Sequence, residues 1–432
     1  MITKQNIADF ILSVLDQKVA VILLRGSDDN SRTGGDIDVL VPAGQSAKAA
    51  VCIGEAATSL GWAVVGFRHL GYVAQICLMI PNASETDDLA IKIDLSDGLA
   101  WYALGVDPIG EAIFRLHRKG GSEAQAAGLA TFFQKALYPG FLRDRDKQRI
   151  FAEINHKDID AFCIENNLPI SLKEIEAGLL LQKTRWQLRA ASANARGLKM
   201  APWIAMVVWS ALRARLGLGT GGGLVIGVAG MDGSGKSTLV DRFVRALVDA
   251  EFTQPELVHL LPDVIPTPHR IVRRKSTVDN YTRPYSEPPV RSKSSAILRL
   301  SYYILAFAVA RLWCRGKTAR GKTVVFDRSI VDFASDLARA RIPHIQLPSW
   351  LLRALLPPGL FFFIDTTPET VVTRKGELTL ERATNLSCRY LVTSQTLNIV
   401  CIDGEPDANT VFGAFVSTVT DENMRRVRRW AR

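Results

Sequence analysis

The stretch Gly230-Met231-Asp232-Gly233-Ser234-Gly235-Lys236-Ser237-Thr238 constrains this chain more than any other. It fits the pattern G-x4-G-K-[ST]. Leu224-Val225-Ile226-Gly227-Val228-Ala229, just before it, is a short apolar run that reads as a buried parallel strand. After it, Leu239, Val240, Phe243, Val244, Leu247 and Val248 recur at three- and four-residue spacing, the pattern of an amphipathic helix. Strand, glycine loop and helix are the context in which such a loop binds phosphate. Glycines let main-chain N–H groups close around phosphate oxygens, and the helix N-terminus adds partial positive charge there. The expected ligands of a nucleoside triphosphate are therefore Gly230, Gly233, Ser234, Gly235, Lys236, Ser237 and Thr238. In this pattern Lys236 reaches the outer phosphates and Ser237 holds Mg²⁺.

A chain of 432 residues is too long for one ordinary core, so two or three domains are expected. Apolar residues at 47% and charged residues at 22% describe a folded chain. The net charge of +10 suits anionic partners, with a nucleotide or a phosphorylated small molecule ahead of nucleic acid, since no named nucleic-acid module is visible. A weak membrane-surface contact and a homodimer are both compatible with the sequence. The six cysteines show no C-x-x-C pair and no zinc spacing, which points to reduced, mostly buried thiols and a cytoplasmic protein. The most apolar stretches, 201–212 and 300–310, are shorter than the ~20 residues a spanning helix needs and read as core helices.

Along the first half, a helix is expected over 5–17 and strands at Val19–Leu24, Asp36–Val41, Trp62–Phe67, Tyr72–Ile80 and Leu89–Leu95. Helical patterns follow at 109–118, 123–137, 144–153, 157–166, 171–194 and 201–214. The glycine-rich run 216–223 reads as the main linker. Beyond the glycine loop, 262–296 is irregular and basic, a helix is expected near 295–315, and apolar strands end at Asp327, Asp365 and Asp403. The expected fold is α/β: a doubly wound parallel sheet in the C-terminal half, preceded by a small α+β domain with a helical extension. The boundaries are 1–105, 106–215, 216–223, 224–420 and 421–432. The last segment, rich in arginine, reads as a solvated end.

Phosphoryl transfer needs positioning and positive charge around the moving group. Arg328, at a strand end after Asp327, is placed to grip an acceptor phosphate, although a structural Asp327–Arg328 ion pair is an equal reading. Arg374, Lys375 and Arg382 follow Asp365-Thr366-Thr367-Pro368-Glu369 on a segment that can close over ATP. Together, the glycine loop, Phe326-Asp327-Arg328 and the Asp365 segment resemble the thymidylate kinase family over roughly 223–415. The resemblance implies a P-loop kinase that moves the ATP γ-phosphoryl group, with Mg²⁺, to a nucleotide-like phosphate. It implies that Asp232 meets the acceptor sugar, that Arg328 binds its phosphate, and that 370–385 forms a lid. Ser329 stands where that family carries an aromatic or histidine, so thymidylate itself is not the expected acceptor.

In the first half, Gly26-Ser27 precede Asp36-Ile37-Asp38, and a third carboxylate, Asp94, lies on a later strand. Period-two alternation puts Asp36 and Asp38 on one face. Two carboxylates there and a third on a neighbouring strand can hold two Mg²⁺ ions, with Gly26-Ser27 on the triphosphate. This resembles the polymerase-β-like nucleotidyltransferase superfamily over 1–100, which implies that Asp36, Asp38 and Asp94 are metal ligands. Three functional readings follow: a bifunctional kinase and nucleotidyltransferase, a kinase with a non-catalytic binding module, and a regulatory ATPase with no acceptor.

Overall fold

The alternating apolar pattern of the first hundred residues becomes a five-stranded mixed sheet. The computed structural model describes residues 3–16, 18–25, 36–69, 73–81, 88–99, 107–137, 144–177, 183–184, 187, 222–262, 293–343, 345–376 and 378–432. The chain divides into two compact units: Met1–Ala211 with Asp249–Phe252 and Thr420–Arg432, and Leu212–Val248 with Thr253–Val419.

The first unit opens with α1 (Lys4–Asp16), β1 (Ile22–Arg25), β2 (Asp36–Val41), α2 (Ser46–Ser59), β3 (Ala63–His69), β4 (Val73–Ile80) and β5 (Leu89–Asp97). The strand order is β1-β2-β5-β4-β3, with β2 and β5 parallel and the other neighbours antiparallel. Ile37, Val39 and Val41 join α1 and α2 in one apolar core. Leu40, with Ile22 and Leu24 of β1, joins a second core made with α3 (Pro108–Arg118), α4 (Glu123–Leu137), α5 (Asp144–Glu153), α6 (His156–Glu165) and α7 (Leu172–Ala177). Asp36 and Asp38 share the face of Leu40, as the pleat requires. Helix α3 starts with Asp107 accepting from the Gly110 N–H and proline in its first turn, and α6 starts with an Asn155–Asp158 capping box. The expected helix over 201–214 and the linker up to 221 lie outside the described residues, as do Gly26 and Ser27.

The second unit runs β6 (Val225–Ala229), α8 (Lys236–Asp249), β7 (Glu256–Val258), α9 (Lys293–Ala319), β8 (Val324–Asp327), α10 (Ile330–Ser335), α11 (Ser349–Leu355), β9 (Leu360–Asp365), α12 (Pro368–Lys375), α13 (Leu380–Leu397), β10 (Val400–Asp403) and the start of α14 (Ala408–Trp430), whose residues from Thr420 on belong to the first unit. All five strands pair in parallel, in the order β10-β9-β6-β8-β7. Central β6 lies between β8 and β9, so the glycine loop, Asp327 and Asp365 all leave the carboxyl edge of the sheet, where such sheets bind ligands. Residues 263–292, most of the expected irregular basic segment, lie outside the described residues.

Two expectations are corrected. Residues 300–310 belong to a longer helix, α9, which is a core helix on one face only: Phe307 and Cys314 are buried in the second unit's core, with Leu300, Tyr303 and Ile304 packed against it, while Leu298, Leu305 and Leu312 are exposed on the opposite side. Among the described residues, α9 is the helix long and apolar enough to cross a membrane. The arginine-rich end is not a solvated tail. Met424 and Val427 are buried in the first core, Thr420 Oγ1 accepts from the Val64 N–H at 3.1 Å, and Asn423 Nδ2 donates to the Val64 carbonyl at 3.0 Å. Asn423, Met424 and Val427 share one helical face, and counting arginines hid that spacing. Cys52, Cys77, Cys163 and Cys314 are buried free thiols; Cys388 and Cys401 are exposed.

Candidate functional site

The glycine loop connects β6 to α8. Gly233 and Gly235 take φ of +96° and +89°, where a side chain would be strained. Ser234 Oγ is buried with no hydrogen-bond partner, and Ser237 and Thr238 are exposed. An orphaned hydroxyl inside a glycine turn at a helix start fits a bound oxyanion. Lys236 is 5% exposed, and its Nζ donates to the carbonyls of Gly230 at 2.8 Å and Met231 at 2.7 Å. Burial pushes its ammonium down to about 8, against the opposing pull of Asp332 and Asp232.

Asp232 accepts from Arg328 Nη2 at 2.5 Å and from Arg339 Nη2, with Lys236 Nζ 3.9 Å away. Burial works against its charge, but Arg339, Lys236 and Arg328 together hold it well below the usual carboxylate range. Arg328 adopts φ +79°, a conformation that costs a non-glycine residue strain and that clusters at functional sites. Arg339, one helical turn after Asp336, is fixed to that carboxylate at 2.9 Å. Asp327 does not pair with Arg328. Arg328 lies past the end of β8 in a left-handed conformation, with its guanidinium on Asp232, whereas Asp327 faces His259 Nδ1 at 3.6 Å. The nearby His259 imidazole lowers the Asp327 pKa, with burial opposing.

Asp332 ties three elements together. Its carboxylate accepts from the N–H groups of Ser329 at 2.8 Å and Gly230 at 3.3 Å, and from the Tyr390 hydroxyl of α13 at 3.0 Å. It is 2% exposed, and burial raises its pKa. The residue at 329 thus has a local cause: Ser329 caps α10 in a capping box with Asp332, which an aromatic side chain cannot do. From α12, capped by Thr367, Arg374 Nη1 donates to the Gly233 carbonyl at 3.3 Å, so the expected lid arginine touches the loop. Lys375 and Arg382 are exposed. Asp365 lies beside Asp403 and Glu405; burial and those carboxylates raise its pKa.

A second constellation lies on the first unit's sheet. The β2–β5 register sets Asp36 beside Lys92 and Asp38 beside Asp94. The carboxylates of Asp36, Asp38 and Asp94 each offer an oxygen within 4.8 Å of the others. Arg25 Nη1 lies 3.3 Å from Asp36, and Lys92 Nζ lies 3.8 Å from Asp36 and 3.6 Å from Asp94. Gln75 Nε2 donates to Asp94 at 2.9 Å, and Arg68 Nε donates to Gln75. Burial, then Asp36 and Asp94, push Asp38 up to about 6. An all-carboxylate donor set fits a hard divalent cation. In the second unit, the exposed Ser237 hydroxyl and Asp327 at the adjoining strand end offer the same oxygen chemistry.

Sequence reasoning missed Arg339, Asp332, Tyr390, His259 and Lys92. Lys92 was readable, because Lys92-Ile93-Asp94 puts it on the face of Asp94. So was Asp332, in the Ser329-x-x-Asp332 capping signature. Arg339, Tyr390 and His259 reach the site only through tertiary packing.

The chain matches no protein-family model and no curated protein. Two solved structures of deoxyadenosine kinase from M. mycoides, one with dCMP and a flexible dCDP bound and one with dATP bound, are similar to 46% and 45% of this chain and to 100% and 98% of their own. Identity is 13% and 14%, with TM-scores of 0.31 and 0.29. At such scores the likeness carries no weight for function, which turns on the side chains of this chain.

Proposed function

We propose that the second unit transfers the γ-phosphoryl group of ATP to a nucleotide-like or otherwise phosphorylated small-molecule acceptor. The observation that carries this reading is the convergence of Arg328 and Arg339 on Asp232, directly beside Lys236. A lone nucleotide-binding loop needs no second cationic pocket; an acceptor phosphate does. The main-chain N–H groups of the loop, Ser234 and Lys236 hold the β- and γ-phosphates. Ser237 and Asp327 hold Mg²⁺, which when bound neutralises charge on the phosphate oxygens. Arg374 covers the loop from α12. Arg328 and Arg339 exchange part of their contact with Asp232 for the acceptor phosphate and keep it in line.

For the first unit we propose a nucleotidyltransferase-like site in which Asp36, Asp38 and Asp94 hold a divalent cation. The support is their placement on one sheet face with mutually close oxygens. One experiment separates the functions: incubation with γ-labelled and α-labelled ATP and a panel of nucleoside and sugar phosphates. The expected result is γ-label on a phosphorylated acceptor, with α-label transfer wherever the first unit is also active. Release of γ-label to water alone, without stimulation by any acceptor, would instead identify a regulatory ATPase.

A further inference from the structure

We propose that the Lys92 ammonium permanently takes the place of one of the two cations that a three-carboxylate nucleotidyltransferase-like site accommodates, so that the first unit binds a single divalent ion. This rests on the reading of Asp36, Asp38 and Asp94 as metal ligands. Lys92 stands opposite Asp36 in the β2–β5 register, two residues before Asp94, and therefore points into the same face. Its Nζ lies between Asp36 and Asp94, 3.8 and 3.6 Å from their carboxylates. Two divalent ions in such a site sit ~3.5–4 Å apart, and the second of them needs the space the ammonium fills. Lys92 is only 9% exposed, and β5 pairs with β2 on one side and β4 on the other, so the backbone beneath it is fixed.

Charge balance favours the same count. Three carboxylates, the Lys92 ammonium, the Arg25 guanidinium and one divalent ion leave a single positive charge. A second ion would raise that excess to three before any phosphate arrives. Swinging the ammonium away to admit that ion would strand a mostly buried charge without its partners, which is costly. Lys92 thus supplies fixed positive charge where a second metal would supply removable charge, and dependence on divalent concentration falls to first order.

The test is Mn²⁺ binding to the full-length protein without nucleotide, read from the EPR signal of free Mn²⁺. Ions belonging to the site are those lost in the Asp36→Asn, Asp38→Asn double variant. The expected count is one ion for the wild type and for Lys92→Arg, and two for Lys92→Met, whose second site binds at least tenfold more tightly than any residual second binding in the wild type. Two site ions in the wild type would overturn the role of Lys92 while leaving the metal reading intact, and this arm needs no variant to fold. A count that stays at one in a Lys92→Met protein with native circular dichroism also overturns it. No site ions in any of these proteins would remove the metal reading itself.

Discussion

Lys236→Ala lowers transfer of the ATP γ-phosphoryl group by roughly a hundred- to a thousandfold, the range found when one preorganised charge-stabilising donor is removed from a site of this kind. The effect falls on kcat as well as KM, because the lysine follows charge onto the moving phosphoryl group and does more than bind the ground state. The wild-type pH profile carries the same signature. The ammonium is the productive form, and burial holds it down to about 8 in the empty loop. The value of kcat/KM, which reports the free enzyme, therefore falls as pH rises through about 8. Bound phosphates favour the charged form, so the alkaline limb of kcat lies at higher pH. Lys236→Ala loses the limb near 8 altogether. A variant that keeps wild-type turnover, or a kcat/KM profile flat to pH 10, contradicts the assignment.

Asp332→Ala destabilises the second unit by about 3–5 kcal/mol, the cost of breaking a buried charge network by removing one partner. Three donors lose their acceptor: the N–H groups of Gly230 and Ser329 and the Tyr390 hydroxyl. The favourable field that Asp332 exerts on buried Lys236 is lost with them. Tyr390→Phe removes one hydrogen bond only and costs about 1–2 kcal/mol. Urea denaturation with a probe in the second unit measures both. A loss below about 1 kcal/mol for Asp332→Ala would mean that Asp332 does not hold the loop, the Arg328 strand end and α13 together.

What the sequence disclosed, and what it hid, follows from the range of the interactions. The turn at Gly233 and Gly235, the apolar β6 and the alternation of Asp36 and Asp38 are local, and a period or a glycine announces them. The capping box at Ser329 is equally local, and the Ser329-x-x-Asp332 spacing encodes it. Strand β7 has three residues and no period to detect. Asp327 and Arg328 are adjacent in sequence but their side chains part company in space, toward His259 and Asp232 respectively. Arg339 lies far along the chain from Asp232, and no spacing rule connects them. The burial of Met424 and Val427 shows the converse error, in which composition masked a helical face.

The most direct measurement is a crystal structure grown with Mg²⁺ and a non-hydrolysable ATP analogue. The β-phosphate is expected inside the turn from Gly230 to Thr238, with Lys236 Nζ moved off the carbonyls of Gly230 and Met231 and onto the phosphate oxygens. Analogue bound elsewhere, or a loop still closed by the lysine on those two carbonyls at saturating ligand, would contradict the account.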